Sequence, residues 1–242
     1  MKSFDIVTLT VSPALDKSAH FSGLVPEQKI RCQTPLFDAG GGGINVSKAI
    51  SRLEGTSLAI MTSGGSTGEM LKKLLKEESV PFEAIETQSW TRENFVAVDD
   101  NTNSQFRFVF PAPPVTITEK DKIISTIQEL DFNYLVISGG LSEGLSVDFY
   151  QEIAELAKTS NSKLIIDTSG DPLRKVLETG VYMIKPNVGE LAKLIGVEYL
   201  EVEEVNEAAK EIIRKGGAEV VVVSLGPQGA VLVTKDSYDY VP

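Results

Sequence analysis

The sequence predicts an α/β fold: a doubly wound, mostly parallel sheet with a smaller sheet projecting from it, on a single domain spanning residues 1–242. Three observations predict it. Short β-branched runs alternate with segments of helical spacing, the signature of strand-helix-strand winding. Several of the runs are continuously apolar, as parallel strands covered on both faces must be. Two stretches, 17–37 and 92–110, break the alternation and read as antiparallel strands.

The main-sheet strands are expected at 4–11, 58–62, 134–138, 163–167, 181–185, 220–224 and 230–234. Helical spacing with polar outer faces falls at 44–53, 67–78, 118–130, 146–159, 188–195 and 203–215. In the second irregular stretch, "DDNTNS" is the turn of a hairpin, and "PAPP" (111–114) returns the chain to the core. A small extra sheet must bury its apolar face over a ligand or against a partner chain.

Composition narrows the function classes. A net charge of −11 over 242 residues argues against nucleic acid, whose phosphates would be repelled. Cys32 is the only cysteine, which leaves no disulfide framework and no cysteine metal cluster. The N-terminus reads as a strand rather than a signal peptide, and no apolar run approaches membrane-spanning length, so a cytoplasmic chain is expected. His20 is the only histidine and reads as a solvated surface residue.

The chemistry-bearing residues gather after strand ends, where open α/β sheets bind ligands. In "DAGGGGINVSKAI", Gly40 to Gly43 lead into a helix. Bare backbone there lets a ligand approach and presents N–H groups at a helix N-terminus. Asn45 supplies a donor and an acceptor suited to a sugar hydroxyl, or else caps a flexible turn. The run is neither G-x-G-x-x-G nor a Walker A loop. Asp16, closing "SPALD" after the first strand, can accept from two hydroxyls or is an ordinary turn aspartate. "SGGSTGE" (63–69) is a second glycine turn, expected to be capped by Ser66 or Thr67. Arg92 in "WTRENF" could grip a phosphate, although a surface arginine is the commoner case. Lys185 and Asn187 in "IKPNVGE" can reach phosphate oxygens, and Glu190 can hold Mg²⁺ through water. "VVSLGPQGA" (222–230) ends a buried strand in a glycine-bordered turn.

Together "AGGGGINVSKAI", "SGGSTGE", "WTREN", "VISGGL", "KPNVGE" and "VVVSLGPQGA" resemble the ribokinase-like PfkB family, in register from about residue 4 to residue 242. The likeness is closest to its 6-phosphofructokinase group, with the 1-phosphofructokinase and tagatose-6-phosphate kinase groups next. The resemblance implies a ribokinase-like fold and ATP- and Mg²⁺-dependent phosphoryl transfer to the 1-hydroxyl of fructose 6-phosphate. It also implies a lid at 17–37 and 92–110 that pairs with a second subunit, hence a homodimer.

Carried over by position, the resemblance implies that Asp16, Gly41, Gly42 and Asn45 hold the sugar hydroxyls and Arg92 the sugar phosphate. Lys29, placed in the small sheet, would reach the phosphate region of a neighbouring site. Lys185 and Asn187 would contact ATP phosphates, Glu190 would organise Mg²⁺, and Ser224, Gly226 and Gly229 would border the nucleotide. Gly140 replaces a serine that contacts the sugar phosphate, and Gly189 replaces a basic position. Glu54 stands where a glycine follows the first helix, leaving Gly55 to end it. The family's Gly-Ala-Gly-Asp motif, with its anion hole and catalytic base, is expected beyond Pro242, so no catalytic base is assigned within 1–242; Asp236 and Asp239 lack a glycine cradle. A non-catalytic sugar-phosphate-binding relative is the reading from a different class.

Overall fold

In the computed structural model, which describes residues 2–242, the apolar runs pair in parallel. Strand β1 (Lys2–Thr10) lies inside the sheet, flanked by β4 (Ser57–Ser63) and β8 (Leu130–Ser138), both parallel to it. Beyond β4 lies β5 (Phe82–Glu86). Beyond β8 come β9 (Lys163–Asp167), β10 (Val181–Ile184) and β11 (Ala218–Ser224), all parallel. Antiparallel β12 (Ala230–Val233) and β13 (Tyr238–Val241) complete a sheet of order β13-β12-β11-β10-β9-β8-β1-β4-β5. The winding starts at β1, runs out to β4 and β5, then restarts on the other side of β1 at β8. The boundary between β1 and β8 is therefore a topological switch point, and ligands bind beyond the carboxyl ends of strands there.

Alternation along each strand divides the helices between the two faces. Leu58 and Ile60 of β4 enter the large cluster containing α3 (Ile117–Gln128), α4 (Phe149–Thr159), α5 (Gly170–Thr179), α6 (Val188–Ile195) and α7 (Val205–Arg214). Ala59 and Met61 enter the second cluster, with α1 (Gly42–Arg52) and α2 (Gly65–Glu77). Leu9, Ile60, Leu135 and Ile137 are fully buried. Each such burial is worth about 1.5–3 kcal/mol, so the central strands form a rigid base for the loops at their ends.

The second sheet has the order β3-β2-β6-β7, from β2 (Ala14–Phe21), β3 (Leu36–Gly40), β6 (Arg92–Asp99) and β7 (Ser104–Val109). The β6–β7 hairpin turns at the expected "DDNTNS", and β2–β3 is antiparallel, but the central pair β2–β6 is parallel. The reason is topological. Strand β2 follows the carboxyl end of β1 and β6 follows that of β5, so both leave the main sheet in the same direction. Residues 22–35 between β2 and β3 form no strand, and Lys29 lies exposed within them rather than in the sheet.

Other expectations are corrected. Helix α5 and strand β5 fall where neither was expected, and α3 ends at Gln128, giving way to an earlier start of β8. Neither Ser66 nor Thr67 caps α2: Gly64 is its N-cap, without a side-chain cap bond. The Gly64 amide donates to Thr91 Oγ1 and Thr67 Oγ1 donates to the Thr91 carbonyl, tying α2 to the start of β6. Gly55 does not supply the left-handed residue after α1. Glu54 does, at φ 62°, with Glu54 N–H bonded to Ser51 O and Gly55 N–H to Ile50 O in a Schellman arrangement. The expectation for His20 holds: it is exposed, and at the surface its Nδ1 lies 2.7 Å from Asp100 Oδ1.

Candidate active site

The glycine run lies at the switch point, and each glycine there meets a different constraint. A methyl group on Gly40 would fall 2.1 Å from Asp16 Oδ2, and one on Gly42 2.2 Å from Ser138 Oγ. On Gly43 it would lie 2.6 Å from Thr10 Oγ1. Gly41 has φ 132°, a conformation that L side chains rarely adopt, and is the N-cap of α1. The bareness of the run thus serves close packing of α1 against the ends of β1 and β8, with Ile44 N–H donating 3.0 Å to Thr10 Oγ1. Asn45 is not the cap; it is exposed, in the first turn of α1.

Asp16 is a lid residue on β2, not a loop residue following β1. Asp38 lies opposite it on β3 and Asn94 on β6, and Asn94 Nδ2 donates 2.8 Å to Asp16 Oδ1. The carboxylate is therefore oriented from two strands and lies over Gly40. Arg92 opens β6 and spans the two sheets. Its Nη1 donates to Phe110 O (3.0 Å) and its Nη2 to Ser12 O (3.3 Å), while its buried Nε has no partner. The guanidinium is held in place by carbonyls and has N–H groups left over.

The other half of the rim is built on β9, β10 and β11. Lys185 Nζ lies 3.2 Å from Asp167 Oδ1, and Asp167 Oδ2 accepts from Ser138 Oγ at 3.2 Å. Asn187 caps α6 in a capping box: its Oδ1 accepts the Glu190 amide and Glu190 Oε2 accepts the Asn187 amide, both at 2.9 Å. One oxygen of Glu190 is thus committed to the helix start. Ser224 N–H donates to Pro186 O, which brings the "KPN" and "SLGPQG" turns side by side. Gly226 (φ 62°) and Gly229 (φ 94°) bend the second turn. A methyl on Gly229 would fall 2.1 Å from Val241 O, so β13 delivers its carboxyl end to this same rim. Asp236 precedes β13, in the β12–β13 turn at the far end of that strand from the rim.

The structure thus brings Asp16, Gly41, Gly42, Asn45 and Arg92 to the β1/β8 side of one rim, and Lys185, Asn187, Glu190, Ser224, Gly226 and Gly229 to its β10/β11 side. It does not bring Lys29 to this rim; Lys29 lines a separate cavity of about 360 Å³ with Phe21, Arg31 and Asp100. Ser138 and Asp167 join the two halves. They were missed because each merely closes an apolar strand; a polar residue at the carboxyl end of such a strand was the available signal. Tyr150, buried so that its hydroxyl is pushed well up from its ordinary value, donates to the Gly139 and Gly140 carbonyls at 3.3 Å each and fixes the turn after β8.

A rim carrying a glycine-lined hydroxyl pocket at one end and lysine, capped asparagine and glycine turns at the other is suited to a sugar and a polyphosphate side by side. Residues 3–242 match the family described as pfkB family carbohydrate kinase. The chain belongs to that family. This pfkB kinase is 41% identical over 232 residues to the ATP-dependent 6-phosphofructokinase isozyme 2 of Mycobacterium tuberculosis, covering 95% of this chain and 68% of the relative. It is 30% identical to the 1-phosphofructokinase of Bacillus subtilis, covering 96% and 76%. The crystal structure of phosphofructokinase-2 from Escherichia coli in complex with fructose-6-phosphate superposes with a TM-score of 0.94 at 38% identity, covering 98% of this chain and 79% of that one. The pfkB kinase is thus a sugar-phosphate kinase of ribokinase-like fold. Among its described residues, no helix is long and apolar enough to cross a membrane.

Proposed function

We propose that this kinase transfers the γ-phosphoryl group of ATP to the 1-hydroxyl of fructose 6-phosphate, giving fructose 1,6-bisphosphate. The observation that carries the reading is the single rim along which the sugar-side and phosphate-side groups lie, joined by Ser138, Asp167 and Lys185. The 41% identity to a 6-phosphofructokinase supports the choice of sugar. Asp16 and Asn45 accept and donate to sugar hydroxyls against the wall formed by Gly41 and Gly42, and Arg92 takes the 6-phosphate with its uncommitted N–H groups. Lys185, held by Asp167, and Asn187 face the ATP phosphates, and Ser224, Gly226 and Gly229 border the nucleotide. In the reaction the 1-oxygen bonds to the γ-phosphorus, the bond from that phosphorus to the β–γ bridging oxygen breaks, and the hydroxyl proton passes to a base. Catalysis of this kind rests on positioning and charge stabilisation.

The residues present fit Mg²⁺ in a particular way. Among the described residues no group of three or more acidic or imidazole side chains is clustered for a metal. Mg²⁺ is commonly held by one or two carboxylates together with water and substrate phosphates. Glu190 and Asp167 are the carboxylates at the phosphate end that would help hold the ion, which would supply positive charge against the developing phosphate charge. The lid exposes Leu36, Phe37, Phe108 and Val109, an apolar surface for a homodimer, and sedimentation of the protein at two concentrations tests it. The exposed Lys29 would then face a neighbouring subunit's site.

A second reading has its own observation. Gly140 presents no side chain, and a methyl group there would meet nothing within 4 Å. With one donor fewer for the 6-phosphate, fructose 1-phosphate and tagatose 6-phosphate stand as the alternative substrates. A coupled ADP-release assay of the full reading frame against the three sugar phosphates tests both. The highest kcat/KM is expected with fructose 6-phosphate; a preference for another sugar favours the second reading, and binding without turnover favours a non-catalytic relative.

A further inference from the structure

Lys48 is used by none of the chemistry above, yet it is an almost fully buried cation. Its side chain is 5% exposed, at the junction of α1, β3 and the end of α2. A buried ammonium is costly unless paired. Lys48 Nζ pairs with Asp38 on β3 and lies 3.0 Å from Glu78 Oε1, just after α2. Glu78 has a second partner, Arg52, at 3.6 Å, whereas Asp38 has no other cation within salt-bridge distance among the described residues. Asp38 stands directly opposite Asp16 in the β2–β3 ladder. Directly opposed like charges repel across a strand pair. Asp16 is the carboxylate that lies over Gly40 and is bonded to Asn94.

We infer that Lys48 is a positioning residue for the sugar site: by neutralising Asp38 and tying β3 to α1, it keeps Asp16 seated over the glycine wall. The inference rests on the reading of Asp16 as a sugar ligand. It names a cross-sheet charge that sets sugar affinity although Lys48 itself makes no contact with sugar.

The test measures fructose 6-phosphate affinity by titration calorimetry alongside thermal melting. Lys48→Met should weaken the sugar about tenfold, because Asp38 is left bare opposite Asp16. Lys48→Arg should restore affinity to within about threefold of wild type. The double variant Lys48→Met/Asp38→Asn removes the stranded charge, so it should also recover affinity even if its melting temperature stays lowered. Lys72→Met, which loses a lysine paired with Glu69 and Glu86 at 2.7 and 2.8 Å, serves as the control and should lower melting without changing affinity. Unchanged affinity in Lys48→Met overturns the inference, as does a loss that the double variant fails to recover. Failure of the wild type to bind any of the three sugar phosphates overturns the sugar-site reading itself, and this inference with it.

Discussion

Asp167 accepts from Ser138 on one carboxylate oxygen and pairs with Lys185 on the other, at 3.2 Å in both cases. One residue at the end of β9 thereby couples the turn packed on the glycine wall to the lysine at the phosphate end. Asp167→Asn would leave the Ser138 bond possible while removing the charge that holds Lys185. Loss of a preorganised charge contact costs on the order of 100-fold in kcat. Steady-state kinetics should show a fall of that size with the KM for the sugar within about threefold of wild type.

Gly42 and Gly140 lie at the same rim and should respond oppositely to added side chains. A methyl on Gly42 would meet both Ser138 Oγ at 2.2 Å and the Ser138 carbonyl carbon at 2.7 Å, and backbone cannot yield as a side chain can. Gly42→Ala should cost about 1–3 kcal/mol by overpacking, read from denaturant unfolding, with loss of sugar binding. Gly140 has open space instead. Gly140→Ser should leave the unfolding midpoint unchanged and lower the KM for fructose 6-phosphate several-fold by adding a donor near its phosphate.

Glu54 takes the left-handed conformation that ends α1. A non-glycine residue pays roughly 1–2 kcal/mol for that conformation. Glu54→Gly should stabilise the protein by about 1 kcal/mol, less the added freedom of glycine in the unfolded chain. Urea unfolding is the measurement, and activity should not change because Leu53 and Glu54 face solvent.

Glu119 ties the start of α3 to the turn after β5. Burial opposes its ionisation, but the Thr116 and Gln88 amides, each donating at 2.7 Å, outweigh burial and hold its carboxyl below the ordinary value. A carboxyl lowered on folding contributes stability above its unfolded pKa, and that stability is lost as pH falls through the folded one. Glu119→Gln should therefore lower the melting temperature at pH 7, with the difference from wild type shrinking as pH drops below the ordinary carboxylate range.

The strand-helix alternation and the glycine-bearing turns were legible in sequence because each is a local pattern. Helix α5 was hidden by Pro172, which reads as a breaker but is tolerated in a first turn, while Leu173 and Val176 still face the core. Strand β5 buries only Ile85, so as an edge strand it lacks a clear period. The parallel β2–β6 pair depends on where each strand leaves the main sheet, which no local pattern encodes. Asp167 and Ser138 looked like strand termini because their significance lies in each other, 29 residues apart in sequence. Conversely, the four glycines suggested ligand approach, whereas three of them are required by Asp16, Ser138 and Thr10 of the protein itself.

The central claim is phosphoryl transfer to the 1-hydroxyl of fructose 6-phosphate, and phosphorus NMR of the products tests it most directly. With ATP, Mg²⁺ and fructose 6-phosphate, the full reading frame should yield ADP and a second phosphomonoester on carbon 1, with the original 6-phosphate resonance retained. A new phosphate on any other carbon, or inorganic phosphate in place of a sugar product, would contradict it.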